Sequence, residues 1–180
     1  TPHANIASVA LSDDQVMTID SKMAGVFISP KILYGNSNVN DSNTTSAIVI
    51  GATLNHPSSV FGFSTTGAIT QTAPIIAMGL GARGARAVLN SANQIHQIAA
   101  ETNGGNFELT NTGALSVSSF TTGQGTLAGI TTQNGAVNIN NTGAISIDNP
   151  INSGTGNINV VAHSPLTVNA AVTSTSGNIL

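Results

Sequence analysis

The chain has 180 residues, 40% of them apolar and only 6% charged, with a net charge of −3 and no cysteine. Its four basic residues, Lys22, Lys31, Arg83 and Arg86, are too few to build a phosphate-binding surface, so nucleic acid is excluded as a partner. The lack of cysteine excludes a disulfide scaffold and any thiolate metal site, and no apolar run is long enough to span a bilayer as a helix, so no membrane insertion is expected.

Residues 1–37 read as an N-terminal cap or a degenerate first coil. Ser12-Asp13-Asp14-Gln15 has the spacing of a helix-start capping box. Val26, Ile28 and Ile32 carry the spacing of the repeats that follow, and the polar run from Asn36 to Thr45 reads as a surface loop. Residues 38–180 read as repeats. With Asn38, Ser59, Ala85, Gly105, Gly135, Gly156 and Gly177 as unit starts, the tenth residue onward is Ile48, Ile69, Ile95, Leu115, Ile145 and Leu166, all aliphatic.

Apolar pairs two and four residues after a start, such as Phe61 and Phe63 or Val137 and Ile139, have the period of a strand, and Gly, Asn, Ser and Thr separate the clusters as turns require. A unit of roughly 20 to 30 residues that cannot bury its apolar face alone is the mark of a solenoid. The expected fold is therefore all-β: a parallel β-helix with three short strands per coil of about 21 residues. Phe61, Phe63, Ile69, Phe107, Leu109, Leu115, Val137, Ile139, Ile145, Ile158, Val160 and Leu166 are expected to face one interior, because a one-residue slip would turn them all to solvent.

The run from Gly79 to Arg86, GLGARGAR, contains G-x-G-x-x-G without the crossover unit or acidic partner of a dinucleotide site, and reads as a corner loop. Holding Arg83 and Arg86, it is the place expected to contact an acidic glycan or partner. Val88, Ala92, Ile95 and Ala99 fit a helical period, but the register with neighbouring units favours strand, since a helix would interrupt the ladder. Gln71 and Gln97 share one offset and are expected to pair through their amides. Thr121 to Ile130 reads as a protruding loop. Gly177 to Leu180 open a further unit, so the edge near Leu180 is expected to be covered by continuing chain, a cap or another subunit.

The segments Thr65 to Ile75 (TTGAITQTAPI), Leu89 to Ile95 (LNSANQI), Gly104 to Val117 (GGNFELTNTGALSV) and Gly135 to Ile147 (GAVNINNTGAISI) resemble the repeats of filamentous-haemagglutinin-like bacterial exoproteins. The resemblance runs from about Ser59 to Leu180. It implies a right-handed parallel β-helix, an extracellular or cell-surface location, and the role of an adhesin shaft or filament, in proteins many of which leave the cell by two-partner secretion.

Candidate chemistry is sparse. Polysaccharide lyases and hydrolases on β-helices need clustered carboxylates, whereas Asp13, Asp14, Asp20, Asp41, Glu101, Glu108 and Asp148 are scattered, with Glu108 and Asp148 expected outward on different faces. His3, His56, His96 and His163 lack metal-ligand spacing, and Gly104-Gly105-Asn106 lacks the aspartate of a calcium nonapeptide. Threonines gather at turns and not in the ranks that bind ice. Asn40, Asn43 and Asn140 lie in N-x-S/T sequons.

No catalytic, cofactor or metal site is assigned. The expected function is a non-catalytic structural or adhesive segment of an extracellular surface protein or fibre, with a cell-surface or glycan receptor and self-association as the partners. The alternatives are a self-assembling filament subunit and a carbohydrate-active β-helix enzyme.

Overall fold

The computed structural model describes residues 47–51, 53–122 and 125–180, together with three short strands before them. Those three are β1 (Met17–Ile19), β2 (Val26–Ile28) and β3 (Val39–Asp41). The body follows as β4 (Ile48–Ile50), β5 (Leu54–Ser64), β6 (Ala68–Gln71), β7 (Ile75–Gly84), β8 (Arg86–Thr102), β9 (Phe107–Asn111) and β10 (Leu115–Val117). Then come β11 (Ser119–Thr122), β12 (Gly125–Ala128), β13 (Ile130–Thr132), β14 (Val137–Asn141), β15 (Ile145–Ile147), β16 (Ile151–Asn152), β17 (Ile158–Ala162), β18 (Leu166–Val168) and β19 (Val172–Thr173). The strands stack in parallel as a β-solenoid of about six turns, spaced about 21 residues apart, and no helix occurs among the described residues. The segment with two readings is strand throughout, as β8.

Alternation of apolar and polar residues sends one set of side chains inward, and the stacking aligns them in ladders. One sheet stacks Ile48, Ile69, Ala87, Phe107, Val137 and Ile158. The other stacks Phe61 on Leu80, Ile98, Val117, Ile147 and Val168. Beside it run Phe63, Ala82, Ala100, Ile130, Ile151 and Val172. Large side chains sit over small ones, Phe63 against Ala82 and Phe107 against Ala87, as close packing of a thin core requires.

Ten of the twelve expected core residues are buried. Val160 is half-buried, and Leu166 is 47% exposed because β18 pairs with β15 and with no further described strand.

The phase of the first coils differs from the sequence reading. Ile69 stacks on Ala87 and Phe107, not on Ile95 and Leu115, and Phe61 stacks on Leu80, not on Phe107. Spacing records that a residue is apolar and inward but not which residue it stacks on, so spacing alone accepts a wrong phase. The expected Gln71–Gln97 pair falls with it: Gln71 is in register with Ile50, whereas Gln97 stands beside Gly79 in the other sheet.

Two supposed loops are also strands. Gly79 to Gly84 belong to β7, and Gly79 leaves room for an outer layer, since a Cβ there would strike the Phe120 ring. Thr121 to Ile130 contains most of the antiparallel hairpin β11–β12, which folds back so that Phe120 and Leu127 pack on Ala99 and Val60, outside the main core. Its short strands satisfy backbone groups that a bare loop would leave to solvent.

In the N-terminal part, Val26 and Ile28 stand in register with Ile48 and Ile50. Within the polar run from Asn36, β3 pairs in parallel with β1. The capping-box residues 12–15, together with Ile32 and Asn43, lie outside the described residues.

Candidate functional site

The corners carry two polar ladders that the sequence reading missed. Asn93, Asn111 and Asn141 follow one another in register and are fully buried. The Asn93 and Asn111 carboxamide oxygens accept the backbone N–H of Ile75 and Ile95, each at 2.8 Å, and Asn111 Nδ2 donates to Asn141 Oδ1 at 3.0 Å. At the upstream end Gln71 exchanges two bonds with Asn93, at 2.9 and 3.1 Å. The asparagines thus occupy the bends where strands stop supplying partners to the backbone.

The second ladder pairs a hydroxyl with the carbonyl three residues on. Thr102 Oγ1 donates to Gly105 O at 2.5 Å, Thr132 Oγ1 to Gly135 O, and Ser153 Oγ to Gly156 O at 2.6 Å. The glycines are obligatory, because a Cβ at Gly135 or Gly156 would collide with the carbonyl oxygen of the glycine one coil earlier. The signal was present as a recurring S/T-x-x-G and as the repeated Asn-Thr-Gly-Ala at 111–114 and 141–144.

The outer faces hold the candidate chemistry. One shallow trough of about 290 Å³ is lined by Asn90, Glu108, Thr110, Asn138, Asn140 and Asn159 on the sheet containing β9, β14 and β17. Here Glu108 accepts from Asn90 Nδ2 at 2.8 Å and from Asn106 Nδ2 at 3.3 Å. Another trough of about 290 Å³ crosses coils on the other sheet, between Ala114, Ala144 and Pro165 on one side and Gln97, Ser116, Ser146 and Thr167 on the other, with His96 at one end.

Beside that second trough, Asp148 accepts from Ser146 Oγ at 2.6 Å, Ser116 Oγ at 2.7 Å and Asn169 Nδ2 at 2.8 Å. These bonds, first from Ser146, then Asn169 and Ser116, hold its carboxyl below the usual carboxylate range. Since the folded-state value is depressed, its stabilising contribution is complete above the ordinary carboxylate range and is lost as pH falls through the folded value. We expect Asp148→Asn to flatten the acid limb of the stability profile relative to the parent. A titration of denaturation midpoints from pH 6 downward checks this, and parallel profiles would contradict it.

Glu101 and Arg83 form an ion pair at 2.9 Å, one coil apart in register. Arg86 begins β8, exposed, in register with Ala68 of the opposite sheet. The two arginines therefore stand on different sheets, on either side of the corner at Gly84 and Ala85, and do not form one basic patch. Among the histidines, His56 lies edge-on to Phe61 at 6.0 Å, His163 Nδ1 lies 3.0 Å from Asn141 O, and His96 is exposed. No group of three potential metal ligands occurs among the described residues. Of the sequons, Asn140 lies exposed on β14 and Asn40 lies in β3.

The outer surfaces can hydrogen-bond to a polar ligand through hydroxyls and carboxamides, and Glu101, Glu108 and Asp148 stand on three separate strand rows. The fold defines the chain as a parallel β-solenoid. No family model, no curated protein and no solved structure matches it.

Proposed function

We propose that the chain is a non-catalytic structural and adhesive segment of a bacterial extracellular surface protein or fibre, a stacked rod whose outer rows of Asn, Ser and Thr meet a cell-surface or glycan receptor. One observation supports this above the others. Glu101, Glu108 and Asp148 are each engaged by a different set of neighbours, Glu101 by Arg83, Glu108 by two asparagines, and Asp148 by two serines and an asparagine. An acid and a base that work on one glycosidic bond must converge on it.

The resemblance to filamentous-haemagglutinin-like repeats agrees with this reading. In it, the exposed apolar residues Leu166, Val168 and Ile179 are a surface for association with a second copy.

Beads coated with the purified chain are expected to adhere to whole cells or immobilised glycans above albumin-coated controls, while polysaccharides incubated with the chain gain no reducing ends or unsaturated products. Steady turnover of a polysaccharide, abolished by Glu108→Gln or Asp148→Asn, would overturn the proposal in favour of an enzyme.

A further inference from the structure

Two Asn-Gly pairs, Asn103-Gly104 and Asn134-Gly135, follow the paired Thr102 and Thr132 at one corner of neighbouring coils. Both asparagines are exposed, but they are held differently. Asn134 Oδ1 accepts from both the backbone N–H and the hydroxyl of Thr155, each at 3.1 Å. The Asn103 carboxamide makes no hydrogen bond to a described residue. Its turn is pinned by the Thr102 hydroxyl on Gly105 O and through the backbone, where Asn103 N donates to Gly84 O and Gly105 N to Ala85 O, each at 3.0 Å, none of which engages the Asn103 side chain. The intervening Gly104, at φ +86°, carries no side chain to shield its nitrogen.

We propose that Asn103 is a site of spontaneous covalent modification, and that Asn134 is protected from the same reaction by Thr155. The Gly104 nitrogen attacks Cγ of Asn103, a C–N bond forms, the Cγ–Nδ2 bond breaks, and the displaced proton leaves with ammonia. Water then opens the resulting succinimide at either carbonyl, leaving aspartate or isoaspartate. No oxidant or cofactor takes part. The reaction needs the carboxamide to rotate into an attack geometry, which a free side chain reaches and a doubly bonded one does not.

Its consequence lies in the stack. Thr102 Oγ1 bridges this turn to Gly105 O, and Gly135 packs directly on that carbonyl. Isoaspartate adds a backbone atom inside the bridge, so the turn no longer fits beneath Gly135. This inference is independent of the adhesive reading.

The test is peptide mapping of the intact chain after prolonged incubation at mildly alkaline pH, beside the same chain unfolded in urea. In urea both sites are expected to react at comparable rates. Folding should slow Asn134 about tenfold or more while changing Asn103 only a few-fold, because only Asn134 loses its attack geometry. Thr155→Ala, which removes the hydroxyl bond and keeps the backbone one, should raise the rate at Asn134 part of the way towards its value in urea and leave Asn103 unchanged. Equal protection of both sites on folding, faster reaction at Asn134, or no response of Asn134 to Thr155→Ala would overturn the proposal.

Discussion

Asn111→Ala is expected to lower stability by about 4 kcal/mol, since each buried polar group left unpaired costs about 1–3 kcal/mol and a cavity adds to it. The substitution strips the Ile95 N–H of its acceptor and Asn141 Oδ1 of its donor, both in the interior. Propensity does not enter, because alanine at a corner changes little in the strands on either side. Asn138→Ala is the matched control. Its carboxamide stands on the outer face with no hydrogen bond to a described residue, and a surface change of that kind falls within about 0.5 kcal/mol. Denaturant midpoints of the two variants check the pair, and an Asn111→Ala variant as stable as Asn138→Ala would remove the ladder from the account.

Gly135→Ala should cost about 3 kcal/mol or more, at the upper end of what overpacking exacts. The methyl group would overlap the Gly105 carbonyl, and that carbonyl cannot yield, because it also accepts the Thr102 hydroxyl one coil below. Gly113 separates this effect from backbone strain. It has φ +88° and nothing within 4 Å of an added Cβ, so Gly113→Ala meets only the left-handed penalty, about 1–2 kcal/mol. Thermal melts that rank Gly113→Ala as the more damaging would contradict close stacking as the reason for the glycine column.

The sequence revealed the kind of fold more readily than its phase. Strand period, Gly- and Asn-rich corners and a recurring aliphatic pointed to a parallel solenoid because burial in a thin stack demands those features. Interior positions do not distinguish Ile69 from Ile95 as neighbours of Leu115, since both are aliphatic and both lie inward. Specific phase resides in the polar corners: Asn93, Asn111 and Asn141 accept only one another's positions, and Thr102, Thr132 and Ser153 must each precede a glycine by three residues. In the earlier coils these markers are missing, with Gly84 opposite Thr102 and Gln71 taking up the ladder, so spacing alone leaves their phase open.

The hairpin β11–β12 was hidden for a related reason. Its apolar residues Phe120 and Leu127 serve a separate outer cluster, which the repeat does not encode. The candidate site was legible only as a lack of convergence. Scattered carboxylates were visible in the sequence, whereas two of the three partners of Asp148, Ser116 and Asn169, come from neighbouring coils and required the register.

Disulfide trapping measures that register directly in a chain without cysteine of its own. Thr70 stands beside Val88 in the stack, whereas the phasing read from spacing alone places it beside His96. Paired parallel strands hold their Cα atoms about 4.8 Å apart, inside the range a disulfide accepts. Thr70→Cys with Val88→Cys is expected to oxidise rapidly to a cross-linked native chain, while Thr70→Cys with His96→Cys stays reduced under the same conditions. Rapid closure of the second pair and not of the first would contradict the stacking order on which the ladders, the corners and the outer rows all depend.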